Sequence, residues 1–350
     1  MDKKEIIKQR IRAICCQLNE KKLNCLIVTK PANVTYTTGF SGHDSWAIIT
    51  TRFVYLLTDS RYTEQAQNQC PCCRIIERKG LMAEAVSELI RKLKSIKTIG
   101  LENSTSLRNF NSLKKNITGT IKSVGDIVEC VRSCKDKSEI SAIRTASRIA
   151  AQAFRKTIEY IEPGISENEL AGRLNLEIRI AGAINSFDTI VAFGANASQP
   201  HYQPGARKLR KNDTILIDFG VKYENYCCDL TRCFVVGKCT YLYKQVYETV
   251  RQAQAAAIKM VKAGVEIEKV DAAAREVISN SHQPVYGHGT GHGLGLEVHE
   301  EPIVSKNVKG RLKAGQIITI EPAVYIPGKL GIRLEDDILV TQRGHRILSR

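Results

Sequence analysis

Apolar positions at Ile6, Ile7, Ile11, Ile14 and Leu18 recur at helical spacing and predict an amphipathic helix over 3–19. Short β-rich runs follow at 25–28, 47–50 and 54–57, then a helix over 82–95 and a strand at 98–101. Strand and helix alternating at this pitch predict a small α/β domain. Past Lys135-Asp136-Lys137-Ser138 the rhythm changes. Ile140, Ile143, Ala146, Ile149, Ala153 and Phe154 keep a spacing of three to four and open a second domain with a helix. Pro163-Gly164 breaks that pattern, and Glu167 to Ile180 resumes it. The expected domains are 1–134 and 135–350, packed together because no Pro/Gly/Ser-rich linker separates them. Stripes over 241–263 and 266–280 predict two helices that cover a sheet and carry no chemistry.

Between these helices the pattern turns β-like and acidic. Thr214 to Phe234 reads as a hairpin: Ile215-Leu216-Ile217 runs out, Tyr223-Glu224-Asn225 turns, and Leu230 to Phe234 returns. Asp218 and Asp229 are placed symmetrically about a midpoint between Tyr223 and Glu224, which predicts that they face each other across the strands. Directly opposed residues have Cβ atoms about 4.5–5.5 Å apart, and two like charges there need a shared proton or a cation. Glu321 and Glu335 repeat the design around Pro327-Gly328, with Gly328 at the midpoint. Between the two hairpins, GHGTGHGLGLEVHEEP (287–302) carries His288, His292 and His299 in a glycine-rich frame. Four carboxylates and an imidazole can enclose two divalent cations, which polarise a substrate and activate a water. Taken alone, Asp218 and Asp229 fit a solvated acidic hairpin equally well. Glu335-Asp336-Asp337 fits an exposed acidic run, and Arg333, on the same strand face as Glu335, fits a structural salt bridge.

Composition narrows the class. The 350 residues suggest about two domains at ~150 residues each. With 43% hydrophobic and 25% charged residues the chain is ordinary globular material. The charged start MDKKEIIKQRIR has no apolar h-region, and no run approaches the ~18 apolar residues of a membrane span. A soluble, cytoplasmic protein without a membrane partner is expected. The net charge of +16 raises nucleic acid as a partner. Basic residues cluster only mildly, at Arg207–Lys211 and Lys114-Lys115, with no aromatic interleaving, so a solvated lysine-rich surface is preferred. Twelve cysteines include adjacent pairs at 15-16, 72-73 and 227-228 that suit neither a disulfide framework nor a zinc site. Free thiols in a reducing compartment are expected, with Cys227, Cys228 and Cys233 as packing. Cys70-Pro71-Cys72-Cys73 could hold a soft metal, the less favoured reading.

The order Asp-x10-Asp, His, Glu, Glu and the GHGTGHGLGLEVHEEP block resemble the creatinase/methionine-aminopeptidase family, the "pita-bread" metallopeptidases. Within it the chain is most similar to Xaa-Pro aminopeptidases and Xaa-Pro dipeptidases (prolidases). YTTGFSG (36–42) and TDSRYTEQA (58–66) resemble segments of the N-terminal domain in the longer members. The resemblance implies a creatinase-like α/β N-terminal domain and an α+β pita-bread catalytic domain with pseudo-two-fold symmetry. The paired acidic hairpins already suggest a duplicated half. It also implies a homodimer formed through the N-terminal domain.

Residue by residue, the resemblance implies that Asp218 chelates one metal, Asp229 and Glu335 bridge both, and His292 and Glu321 complete the second. Carboxylates with one imidazole favour Mn²⁺, Co²⁺ or Fe²⁺, with Zn²⁺ as a further candidate. Glu321 would also shuttle a proton to the leaving amine. His299 would stabilise the oxyanion, and His201 (in Ser198-Gln199-Pro200-His201), His288 and Arg333 would hold the substrate. Histidine at these positions implies activity that falls in mild acid. The glycines at 287, 289, 291, 293 and 295 are expected to let backbone pass close to metals and substrate. The implied activity is hydrolysis of the bond between an N-terminal residue and a following proline in small peptides. A dipeptidase, a methionine aminopeptidase and a non-catalytic peptide-binding homologue are the alternatives. Methionine aminopeptidases usually lack an N-terminal domain of this size, and non-catalytic members lose ligands that this chain keeps.

Overall fold

A computed structural model describes residues 2–349. The chain forms two compact units, Met1–Arg132 and Ser133–Arg350. In the first, the Asp2 carboxylate caps the helix Lys3–Glu20. Ile7, Ile14 and Leu18 of that helix are buried, as the periodicity predicts. A six-stranded mixed sheet runs in the order Cys73–Glu77, Val54–Thr58, Trp46–Thr50, Cys25–Val28, Thr98–Glu102, Thr120–Val124. The helix expected over 82–95 spans Met82–Lys92. Pro31–Thr38 is a helix that periodicity does not reveal. Its sequence, PANVTYTT, is rich in β-branched residues, but Pro31 sits in its first turn and Gly39, at φ 81°, ends it.

The second unit is built twice over. Lys137–Thr157 and Glu167–Ile180 pack on the antiparallel strands Ile190–Phe193, Thr214–Phe219 and Leu230–Val235. Tyr241–Met260 and Ile267–Asn280 pack against strands from the region 300–340. The turns between the paired helices match in detail. Gly164 (φ 103°) donates its N–H to Leu209 O at 2.9 Å, and Gly264 (φ 87°) donates to Leu312 O at 2.8 Å. Isolated bridges Ser166 to Lys208 and Glu266 to Arg311 repeat as well. The duplication suggested by two acidic hairpins therefore extends through helices, turns and sheets.

Candidate metal centre

The first hairpin has a register different from the one expected. Asp218 pairs with Thr231, and Tyr223 with Tyr226, so the turn is Glu224-Asn225. Both turn residues have positive φ, 48° and 70°, the two-residue turn whose twist matches paired strands. Asp229 lies just before the strand Leu230–Val235, opposite the Gly220 break, two positions from the partner of Asp218. The two acids are thus diagonal neighbours on one face, still within side-chain reach.

The second hairpin keeps the register read from the sequence. Ala323 pairs with Arg333 and Ile326 with Leu330, symmetric about Gly328 at φ 68°. Ile317–Ile320 and Asp336–Val340 continue the same pairing, Ile320 opposite Asp336. Glu321 and Glu335 fall opposite each other at the break between these two ladders. Their N–H groups turn to neighbouring segments: Glu321 N donates to Thr290 O at 2.8 Å and Glu335 N to Thr231 O at 3.3 Å. That exchange ties both glutamates to the first hairpin and to the histidine segment.

His292 lies on the short strand Gly291–Gly293. A Cβ on Gly291 would stand 1.9 Å from Thr319 O, so only glycine allows this approach. Gly293 similarly abuts Glu301 O, whereas Gly287 faces open space. The glycines at 291 and 293 let the strand Gly291–Gly293 pack closely against its neighbours. His292 Nδ1 lies 3.0 Å from Gly293 O. A carbonyl only accepts, so the proton sits on Nδ1 and the Nε2 lone pair points at the acids. Nε2 is 3.4 Å from Glu321 and 3.7 Å from Asp229. Burial pushes the His292 pKa down to about 4, which keeps the imidazole neutral and ligand-ready.

One donor atom each from Asp229, His292 and Glu335 lie within 4.8 Å of one another. Burial, then the neighbouring carboxylates, push Asp229 and Glu335 well above the usual carboxylate range, and burial raises Glu321 to about 7. Asp218 and Glu321 both act on Glu335, so the four acids form one electrostatic unit. Asp218 Oδ1 and Asp229 Oδ1 are buried without a hydrogen-bond partner. Buried acceptors of this kind are costly, and a divalent cation satisfies them. The donor set fits the metals that its residues imply.

Arg333 is the cation the cluster does contain. Its guanidinium is buried, pairs with Asp218, and donates from Nε to Thr231 Oγ1 at 3.1 Å. It also donates to the Tyr325 hydroxyl and, at 3.4 Å, to Pro200 O beside His201. Its contacts are with Asp218, Thr231, Tyr325 and the Pro200 carbonyl. Thr231 in turn donates to Glu335 Oε2 at 2.7 Å. The other histidines surround the cluster. The His299 ring stands edge-on to His292 at 4.4 Å between centroids. His288 Nδ1 is 4.0 Å from Glu321 and its Nε2 3.3 Å from the Tyr325 hydroxyl. His201 is exposed, near enough to His288 to disfavour its protonation.

Three further residues, given no supporting role by the sequence reading, brace the cluster, and the run Glu335-Asp336-Asp337 is buried rather than exposed. Asp337 is fully buried, accepts from Ser147 Oγ at 3.1 Å and from Asp229 N–H at 3.4 Å, and is raised to about 8 by burial. The other two lie on the helix Ile267–Asn280, expected to carry no chemistry. Arg275 donates to Tyr286 O at 2.8 Å and His288 O at 2.6 Å, and pairs with Asp271 at 2.7 Å. Asp271 accepts from Thr290 Oγ1 at 2.7 Å, and Thr290 O receives the N–H of Glu321. The spacing of four between Asp271 and Arg275 is the signal that could have found this pair, on a helix whose apolar stripe drew the attention instead.

Buried acids, one neutral imidazole and flanking histidines on a duplicated α+β scaffold form a candidate metal centre. The family model for metallopeptidase family M24 matches residues 141–342, and that for the creatinase/prolidase N-terminal domain matches 10–134. The chain is 35% identical over 345 residues to the uncharacterized peptidase YqhT of Bacillus subtilis, covering 97% of each. Among solved structures, an Xaa-Pro dipeptidase from Bacillus anthracis superposes with a TM-score of 0.95 at 32% identity, covering 98% of both chains. An X-Pro aminopeptidase from Thermotoga maritima gives 0.88 at 35% identity, covering 94% of this chain and 96% of the other. The chain belongs to metallopeptidase family M24, with a creatinase-type N-terminal domain and a pita-bread catalytic domain, and is a peptidase.

Proposed function

We propose that this peptidase removes an N-terminal residue that precedes proline, acting on small peptides as an Xaa-Pro aminopeptidase with two divalent metals. The carrying observation is that Asp229, His292 and Glu335 bring donor atoms within 4.8 Å of one another, with Glu321 3.4 Å from His292 and Asp218 acting on the same acids, and that Asp218 and Asp229 each have a buried carboxylate oxygen without a hydrogen-bond partner. Asp218 would hold one ion, Asp229 and Glu335 both, and His292 with Glu321 the second, with Mn²⁺ favoured by the oxygen-rich set. Two such ions would polarise the scissile carbonyl and lower the pKa of a water beside it.

The chain's own residues supply the rest. Glu321, beside the proposed ions, would be close enough to carry a proton to the leaving amine. His299, packed against His292, is placed to donate to the developing oxyanion. His288 and His201 flank the cluster where a peptide would lie. Arg333 compensates Asp218 and braces the loop that carries His201.

Proline preference is drawn from the relatives. The Bacillus anthracis and Thermotoga maritima proteins are named for opposite halves of one choice, dipeptidase and aminopeptidase. Protein stripped of metal and reloaded with Mn²⁺ or Co²⁺ decides it on Ala-Pro, Ala-Pro-Ala and Met-Ala-Ser. Cleavage of both proline peptides is the expected result, and cleavage of Ala-Pro alone makes the protein a dipeptidase. Activity on Met-Ala-Ser alone overturns the assignment. A homodimer paired through the N-terminal domain and a cytoplasmic location complete the proposal. Light scattering that returns a monomer would contradict the former.

A further inference from the structure

Cys70 ends the helix Thr63–Gln69, its N–H donating to Ala66 O at 2.9 Å, and Cys73 opens the strand Cys73–Glu77 at the sheet edge. The four residues Cys70-Pro71-Cys72-Cys73 form a hydrogen-bonded turn, with Cys73 N–H donating to Cys70 O at 3.0 Å. A turn of this kind keeps its end Cα atoms within about 7 Å, the range in which two cysteines can be bridged without moving the backbone. Cys72 points elsewhere, its thiol donating to Lys4 O at 3.6 Å. The turn therefore selects Cys70 and Cys73, out of three adjacent thiols, as a pair.

Exposure divides the pair into two roles. Cys70 is 1% exposed, whereas Cys73 is half-buried and reachable. By contrast, burial pushes the isolated thiols of Cys25, Cys227 and Cys233 up to about 12 and leaves them inert.

We propose that Cys70 and Cys73 form a reversible dithiol–disulfide site that exchanges with small disulfides of the glutathione class. Cys73 gives its proton to solvent, and the thiolate attacks one sulfur of the small disulfide. A Cys73 mixed disulfide forms, the small S–S bond breaks, and a thiolate leaves to take a proton. Cys70 then loses its proton and attacks Cys73 Sγ. The protein S–S bond forms and the second small thiol departs. Two protein thiols are oxidised and one small disulfide is reduced to two thiols.

The test equilibrates the reduced full-length protein in buffers of reduced and oxidised glutathione, quenches with acid, alkylates, and maps the thiols by peptide fragmentation. The expected result is loss of two alkylatable thiols at Cys70 and Cys73, linked to each other and restored by dithiothreitol. Exposed Cys16 and Cys239 should carry only glutathione. Cys72→Ser should leave the bridge intact, and Cys70→Ser should trap glutathione on Cys73. Circular dichroism checks that each variant is folded, and the wild-type map stands without them. Cys70 and Cys73 both alkylated while Cys16 and Cys239 carry glutathione would overturn the proposal. So would a bridge that includes Cys72.

Discussion

At the residue scale, Arg333 and the acids it faces set the electrostatics of the centre. It is the guanidinium paired with Asp218 inside a group of four acids, three of which are held above their usual range. Removing one partner of a buried pair costs about 3–5 kcal/mol because the other charge is left uncompensated. Arg333→Met should therefore lower the urea-unfolding stability of the metal-free protein by about that amount. Added Mn²⁺ should recover a large part of it, because the cations would replace the lost charge. The sequence placed Arg333 on the correct strand face but offered two roles, and only its contacts reveal how the guanidinium is engaged. The supporting roles of Thr231 and Asp337 were invisible for a different reason. Their partners, Glu335 and Ser147, lie 104 and 190 residues away, beyond any local pattern.

The same acids give the metal-free protein a defined pH response. Glu321 at about 7 and Asp337 at about 8 bind a proton more tightly folded than unfolded. Stability is then fullest below the unfolded carboxyl pKa of about 4 and falls as pH climbs through these raised values. His288 and His292, lowered to about 4, act oppositely, removing stability only as pH falls from about 6.5 toward 4. Between pH 6.5 and 8 the carboxyls act alone. The metal-free melting temperature should drop across that window, and Asp337→Asn should flatten the drop. A flat or rising profile in the wild type would mean that the acids are not held protonated.

At the element scale, the second acidic hairpin was legible because its symmetry centre is a glycine in a turn, and one register runs through both ladders. The first was misaligned by two positions, because the midpoint of its acids is not the midpoint of its turn. Glu224-Asn225 fixes the register, and Asp229 belongs to the break beside Gly220 rather than to the ladder. The helix Ile267–Asn280 was read by its apolar stripe, which is correct for packing and silent about Asp271 and Arg275. These two hold the carbonyls of Tyr286 and His288 and the hydroxyl of Thr290. Arg275→Met should lower kcat/KM by about 10–100-fold, the usual effect of losing a partner that orients site residues. Arg275→Lys should restore part of the loss, and circular dichroism should remain native. Unchanged kinetics in Arg275→Met would show that the segment 286–290 orients itself.

At the scale of the whole molecule, the sequence supplied the α/β first unit and the duplicated second one. Helices such as Pro31–Thr38, with β-branched sequence, escaped it because capping and tertiary packing override local propensity. No helix among the described residues is long and apolar enough to cross a membrane. The two halves of the second unit each bring an acidic hairpin to one cluster, and the segment between them contributes the imidazole. The proposed chemistry thus depends on both halves being present and in register, which is why the five proposed ligands can come from positions spread over more than a hundred residues. The most direct test is the rate of Ala-Pro-Ala cleavage as Mn²⁺ is titrated into stripped protein. The rate should climb and level off at two equivalents per chain, with no comparable rise in Glu335→Ala. A plateau at one equivalent, or full activity in Glu335→Ala, would contradict a paired-metal centre built on these residues.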